Sequence, residues 1–104
     1  MKPFADLSRP MALLRLLAAD HSTLPAPHVH VSPIYPDLLT LSIHDDLAGF
    51  EAWREALGVD PDSVGRNVQS NGTTAVLKAV ATIAEARVEI VGYSPNIAAL
   101  KSVA

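Results

Sequence analysis

Three of the four histidines lie in one stretch of the sequence, residues 25–46, which ends in two aspartates. The histidines are His28, His30 and His44, and Asp45 and Asp46 follow them directly. Imidazole nitrogens and carboxylate oxygens are common zinc ligands, and the same groups act as general acids and bases in enzymes. The stretch therefore suggests two kinds of chemistry, a zinc site built on the three histidines or a reaction that they assist.

The geometry of a strand restricts such a site. His28 and His30 are two residues apart, and side chains at that spacing on one strand are separated by almost 7 Å. A histidine from a neighbouring strand, His44, would have to close the site. The aspartates are already explained as helix caps, and no common nucleotide-binding or catalytic motif occurs. We therefore expect no cofactor and assign no catalytic residues, and a metal-dependent or histidine-assisted enzyme is the alternative.

The composition limits the classes of function. With 104 residues, 8 of them basic and 11 acidic, the chain fits one domain with a formal net charge of -3. This acidic balance argues against nucleic-acid binding. Cysteine is absent, which excludes disulfides and thiolate ligands. The leucine-rich stretch near the N-terminus is interrupted by Arg15 and is shorter than a membrane span, so we expect a soluble, unprocessed cytoplasmic protein.

The first predicted element is a leucine-rich helix. We predict Ser8 as its N-cap, with Pro10 in an early turn where a missing amide hydrogen costs little. Apolar side chains then cover most of its circumference, so the helix must be buried by its own domain or by a partner. If a partner covers it, the interaction residues are Leu13, Leu14, Leu16 and Leu17.

Two strands are predicted at 28–32 and 38–44, because polar and apolar residues alternate there. Residues 35–38, with the sequence YPDL, are predicted as the turn between them. Alternation places the valines and leucines on one face and all three histidines on the other. One register places His28 opposite His44, and registers shifted by two residues in either direction remain open.

The central stretch 45–58 predicts a helix. Asp45 or Asp46 supplies the N-cap, and Gly58 suits the left-handed position after the last turn. An apolar stripe faces the core, formed by Leu47, Phe50, Trp53 and Leu57.

Three more strands are predicted after this helix. Asn71 and Gly72 suit a two-residue hairpin turn, which places Val68 opposite Ala75. Residues 73–84 also fit a helix, since they are rich in alanine, but strands are favoured because the turn and both neighbours agree on one register. A turn around Glu85 would then set Val88 opposite Ile83 and Ile90 opposite Ala81.

The order of elements is α-β-β-α-β-β-β, which predicts an α+β domain with the central helix packed on an antiparallel sheet. The last three strands are predicted as an antiparallel meander, and the pairing between this meander and the first hairpin stays open. We divide residues 1–104 into an N-terminal helical segment, 1–24, a core, 25–93, and a tail or short helix, 94–104. Function is predicted to be binding to a protein partner or self-association as a homodimer.

The segments FEAWREALGVDPDSV and ARVEIVGYSP resemble a group of small uncharacterised actinobacterial proteins, some of them carried by integrated elements or prophages. The resemblance spans residues 24–95. It implies a cytoplasmic accessory protein of unknown role, and it provides no catalytic residues to transfer.

Overall fold

The computed structural model describes residues 2–68, 72 and 74–95. Over these residues the chain has the predicted α+β composition, with two α-helices and one five-stranded sheet. The helices are α1 (Ser8–Asp20) and α2 (Leu47–Ala56), and the strands are β1 (His28–Ser32), β2 (Tyr35–His44), β3 (Gly65–Val68), β4 (Thr74–Ile83) and β5 (Ala86–Pro95). Single turns of 3-10 helix, Phe4–Leu7 and Pro61–Ser63, precede α1 and β3.

The strand order across the sheet is β1-β2-β5-β4-β3. Neighbouring strands are antiparallel except β2 and β5, which are parallel. The three C-terminal strands are antiparallel neighbours, as in the predicted meander. The sheet as a whole is five-stranded and mixed, because β5 also pairs in parallel with β2 of the first hairpin. The sequence left the pairing of these two parts open, because strands paired in parallel need a long connection, here α2, β3 and β4, and no local sequence signal marks the pairing.

Both helices pack on one face of the sheet, which we call the inner face. The sheet contributes rows of aliphatic side chains, such as Leu41 and Ala79 on either side of Ile90. The helices add Leu13 and Leu17 from α1, and Phe50 and Trp53 from α2, to the same buried cluster. No helix in the described part of the chain is long and apolar enough to cross a membrane.

The two ends of α2 agree with the predictions. Asp46 is its N-cap, and its Oδ1 accepts a hydrogen bond of 2.8 Å from the backbone N–H of Gly49. Gly58, just after the helix, has a φ of +70°. The predicted stripe faces the core, with Phe50 and Trp53 buried.

The start of α1 differs from the prediction. Ser8 is the first helical residue rather than the N-cap, which is Leu7 and has no side-chain cap. The reason is the 3-10 turn that leads directly into α1. The backbone N–H of Ser8 already donates to the carbonyl of Ala5, so a side-chain cap is not needed there.

The turn of the first hairpin also differs from the prediction. The turn consists of Pro33 and Ile34. Residues 35–38, which were predicted as the turn, belong to β2. Pro36 is tolerated in this strand because β2 pairs with β5 only from Leu38 onwards, so its missing N–H removes no hydrogen bond between those strands. The Ile34 N–H donates to Ser32 Oγ at 3.2 Å and closes the turn.

The remaining strand predictions are confirmed in type and only partly in register. Residues 74–83 are a strand, and Val68 lies opposite Ala75 as expected. Between β4 and β5, however, Ala81 pairs with Val88 and Ala79 with Ile90. The register is shifted by two residues from the prediction, because the turn consists of the two residues after Ile83, Ala84 and Glu85, and Ile83 pairs with Ala86. The tail or short helix was predicted at 94–104, but Ser94 and Pro95 belong to β5. Asn71 and residues 96–104 lie outside the described residues.

Candidate functional site

The face of the sheet opposite the helices, which we call the outer face, carries the three predicted histidines. Residues on it follow strict alternation, so His28, Ser42, Val91 and Lys78 form one row across four strands. No helix of residues 2–68 or 74–95 covers this face. The prediction that the three histidines share the face opposite the valines is confirmed.

Three rings form a stack on the outer face. His28 and His44 have ring centroids 5.2 Å apart with nearly perpendicular planes, and His44 stacks on Tyr93 at 4.8 Å. In the register observed, His28 lies opposite Ser42 rather than opposite His44, so its ring reaches His44 diagonally. The Asp45 N–H donates to the carbonyl of Tyr93 at 2.7 Å and holds the ends of β2 and β5 together. The sequence predicted the pair of histidines, but it gave no signal for Tyr93.

His30 lies apart from this stack. It borders a shallow depression of about 280 Å³ at the first hairpin, lined also by Ser32, Ile34, Tyr35, Leu38 and Thr40. Within the part of the chain that the structure describes, no three histidine or acidic side chains are grouped to hold a metal ion. The zinc site formed by His28, His30 and His44 of one chain therefore stays a prediction.

The leucines of α1 divide between the core and the surface. Leu13 and Leu17 are 2% and 3% exposed and belong to the core of the single chain, and Leu14 packs partly against that core. Leu16 is 44% exposed. Of the four predicted interaction residues, Leu16 therefore has the most side chain available to a partner.

The outer side of β1 is a sheet edge, because β1 is the terminal strand and, among the strands that the structure describes, pairs with β2 alone. Large apolar side chains are exposed beside it: Val29 is 46% exposed, Ile34 73% and Tyr35 57%. We call β1 together with Ile34 and Tyr35 the β1 edge. A strand edge offers backbone N–H and C=O groups to another strand, and adjacent apolar side chains add contact area.

The β1 edge lacks the side chains that are always or usually charged near neutral pH. No Asp, Glu, Lys or Arg occurs anywhere in residues 21–36. Natural proteins usually protect exposed edges with charged side chains, prolines, bulges or very short strands. The opposite edge, β3, has four residues and includes Arg66. Strand β1 lies between Pro27 and Pro33 and has an irregularity at Val31 and Ser32, but it has no Asp, Glu, Lys or Arg side chain. This uncharged stretch is the sequence signal that could have located the site.

Side chains of α2 hold the segment that leads into β1. Trp53 Nε1 donates a hydrogen bond of 2.9 Å to the carbonyl of Pro25, and the ring of Pro25 lies close to Gly49, where an added Cβ would be 3.0 Å from Cγ of the proline. His21 contacts Trp53 edge-on, with ring centroids 6.3 Å apart. The start of β1 is thus fixed before any partner binds, which reduces the entropy lost on binding.

No protein-family model matches the chain, and no curated protein or solved structure matches it significantly. The resemblance to small actinobacterial proteins, with the accessory role that it implies, therefore stays a prediction. Any functional proposal depends on the geometry of the chain itself.

Proposed function

We propose that this protein acts by protein–protein interaction, as a homodimer in which the β1 strands of two copies pair antiparallel. The observation that carries the proposal is the uncharged β1 edge with its exposed Val29, Ile34 and Tyr35. When a strand is added to a sheet edge, main-chain hydrogen bonds supply affinity and the alternating side chains supply specificity. Two copies of one edge are related by a two-fold axis, the commonest symmetry of soluble oligomers.

Alternation restricts how two β1 strands can pair. The inner faces of the two sheets form one continuous face across the two-fold axis only if one residue of β1 lies opposite the same residue of the second copy. Pairing over the full strand, residues 28–32, places His30 at the axis and Val29 opposite Val31 of the second copy. The half-exposed Val29 is then covered, and the pair of Val29 with Val31 occurs on both sides of the axis. Apolar surface is removed from water at both ends of the paired segment.

Charge also favours the β1 edge as the contact between copies. Each chain has a formal net charge of -3, and like charges that meet at an interface cost several kcal/mol. Residues 21–36 carry none of these charges. At this edge, two acidic copies can approach without opposing like charges in direct contact.

Sedimentation velocity on the wild type and two matched edge variants tests the proposal. Val29→Lys places a charge on the inner-face side of β1, and because Val29 is half-exposed the fold should tolerate it. Asn67→Lys places the same charge on β3, the other edge. We expect a concentration-dependent dimer for the wild type and for Asn67→Lys, and a monomer for Val29→Lys. A wild type that stays monomeric from micromolar to millimolar concentration would refute the proposal.

A third variant separates the β1 edge from the leucines of α1. Leu16→Lys removes the most exposed of the predicted interaction leucines without opening the core. The dimer should persist in this variant. If Leu16→Lys were monomeric while Val29→Lys remained dimeric, the interface would lie on α1 instead of β1.

The alternative function is a metal-dependent or histidine-assisted enzyme that uses His28, His30 and His44 of one chain. The contact between the rings of His28 and His44 favours it. A thermal-shift screen of the monomeric Val29→Lys protein with Zn²⁺, Ni²⁺, Mn²⁺ and Fe²⁺ tests it. Stabilisation that disappears in His44→Ala would support the alternative, and no stabilisation by any ion would remove it.

A further inference from the structure

We propose that the paired β1 strands form a binding site for a divalent transition-metal ion, with His30 of each copy as its two protein ligands. The inference rests on the proposed homodimer and identifies a ligand for it. Within one chain His30 stands apart from the His28–His44–Tyr93 stack. Across the two-fold axis it meets its own copy.

The length of β1 selects His30 as the residue at the axis. The strand spans His28–Ser32 and is bounded by Pro27 and Pro33. Proline has no N–H to donate, so backbone pairing is limited to the residues between the two. The register that uses all five residues is centred on His30.

Two imidazoles at this position are close enough to bind one ion. Directly opposite residues in an antiparallel pair have Cβ atoms about 4.5–5.5 Å apart. The nitrogen–zinc distance is about 2.0–2.1 Å, so two opposed imidazoles can turn their nitrogens towards an ion between them. His30 is exposed on the outer face, where no described helix prevents water from completing the coordination.

The surroundings of His30 favour a transition metal over calcium or magnesium. Its neighbour across the β1–β2 pair is Thr40, and the next residue in that row is Glu89 on β5. Glu89 lies two strands away, and its carboxylate pairs with Lys78 Nζ at 3.6 Å. The direct ligands are therefore neutral imidazoles and water, a set that suits Zn²⁺, Ni²⁺ or Cu²⁺, whereas Ca²⁺ and Mg²⁺ require oxygen ligands.

An ion held by both copies couples metal binding to dimerisation. Because the complete ligand pair exists only in the dimer, the ion binds the dimer more tightly than the monomer and shifts the equilibrium by mass action. The expected effect is a metal-dependent strengthening of an existing dimer. A dimer that forms without metal through the β1 edge remains the starting state.

Sedimentation velocity of metal-free protein, repeated with ZnCl₂ and with NiCl₂, tests this inference. We expect saturating metal to tighten dimerisation of the wild type by at least about tenfold, or roughly 1.4 kcal/mol. His30→Ala should dimerise without metal and lose the metal effect. His44→Ala, also on the outer face but away from the axis, should keep it. Titration calorimetry should give one ion per dimer.

The outcomes separate the metal site from the dimer. A wild-type dimer that metal does not strengthen would overturn the metal site and leave the proposed function standing. A wild type that is monomeric with and without metal would overturn both. Equal metal binding by the wild type and the Val29→Lys monomer, or loss of the effect in His44→Ala, would place the site within one chain and overturn the inference.

Discussion

Gly92 lies directly beneath the ring of Phe50, and this contact sets how closely α2 approaches the sheet. A Cβ added at Gly92 would lie 2.8 Å from Cδ2 and 3.1 Å from Cγ of that ring. Phe50 is fully buried, so the ring has little room to move aside. The helix that holds the segment leading into β1 therefore depends on a missing side chain in β5.

Gly92→Ala should destabilise the protein by about 1–3 kcal/mol, the usual cost of overpacking a core. Gly65→Ala is the matched control, because the nearest atom to a Cβ there is the Lys78 carbonyl oxygen at 3.8 Å. The control should be neutral or slightly stabilising, since alanine loses less backbone entropy in a strand than glycine does. Urea unfolding with the slope held constant measures both variants. Equal stability of the two variants would show that α2 does not lie this close to the sheet.

For single residues, the sequence predicted which face of the sheet a side chain lies on better than it predicted which side chains it contacts. Alternation placed His28 and His44 on one face, and the diagonal contact of their rings follows from that parity. Tyr93 could not be predicted as the third ring, because it reaches His44 through a parallel pairing with no local signal. Parity also left the register between β1 and β2 open, and the observed one places Val29 opposite Leu41.

The helix α1 is an element with one buried and one exposed side, although its sequence is apolar almost all round. Leu13 and Leu17 point into the core, whereas Leu16 is 44% exposed. The sequence left open whether a partner or the core covers these leucines. The core covers two of them, and the β1 edge offers a separate surface to a partner.

Leu17→Ala should cost about 2–5 kcal/mol, since it leaves a cavity in the core. Leu16→Ala, the neighbouring substitution of the same chemistry, should cost less than about 1 kcal/mol because Leu16 is already 44% exposed to water. Thermal or urea unfolding at one fixed concentration gives both values. If the two losses were equal, Leu16 would be buried in solution, and α1 would be the better candidate for the interface.

The turn between β4 and β5 stores backbone strain. Ala84 and Glu85 have φ values of 51° and 65°, a region that glycine and asparagine adopt far more readily. The register of β5 was mispredicted for this reason, because neither residue is typical of a two-residue turn. The patterns that did predict elements, such as the Asp46 cap, are those in which local preference and tertiary structure agree.

Glu85→Gly should stabilise the protein by about 1 kcal/mol by relieving one left-handed residue. Asp62→Gly provides the control, because Asp62 is also exposed but has an ordinary backbone conformation. There glycine only adds freedom to the unfolded chain, so the free energy of unfolding should fall by about 0.4–1 kcal/mol. In urea titrations, we expect the changes in the free energy of unfolding of the two variants to have opposite signs. A loss of stability in both variants would contradict the left-handed turn.

Over residues 2–68 and 74–95 the molecule is one sheet with helices on a single face, so the sheet edges and the outer face of this part define what a partner can reach. Its charges lie away from residues 21–36, and this segregation can be found in the sequence alone. That the uncharged stretch forms an edge could not be predicted, since the strand order depends on the non-local pairing of β2 with β5.

The pairing of two β1 strands can be measured directly by cysteine cross-linking, because the chain has no native cysteine. His30→Cys should place two thiols opposite each other across the axis, at a spacing close to that of a disulfide. Asn67→Cys, on the β3 edge, is the control and measures the rate of cross-linking by random collision. Under mild oxidation, followed on non-reducing gels, we expect His30→Cys to form a covalent dimer rapidly and Asn67→Cys to stay largely monomeric. Equal rates for the two variants would contradict a dimer formed through β1.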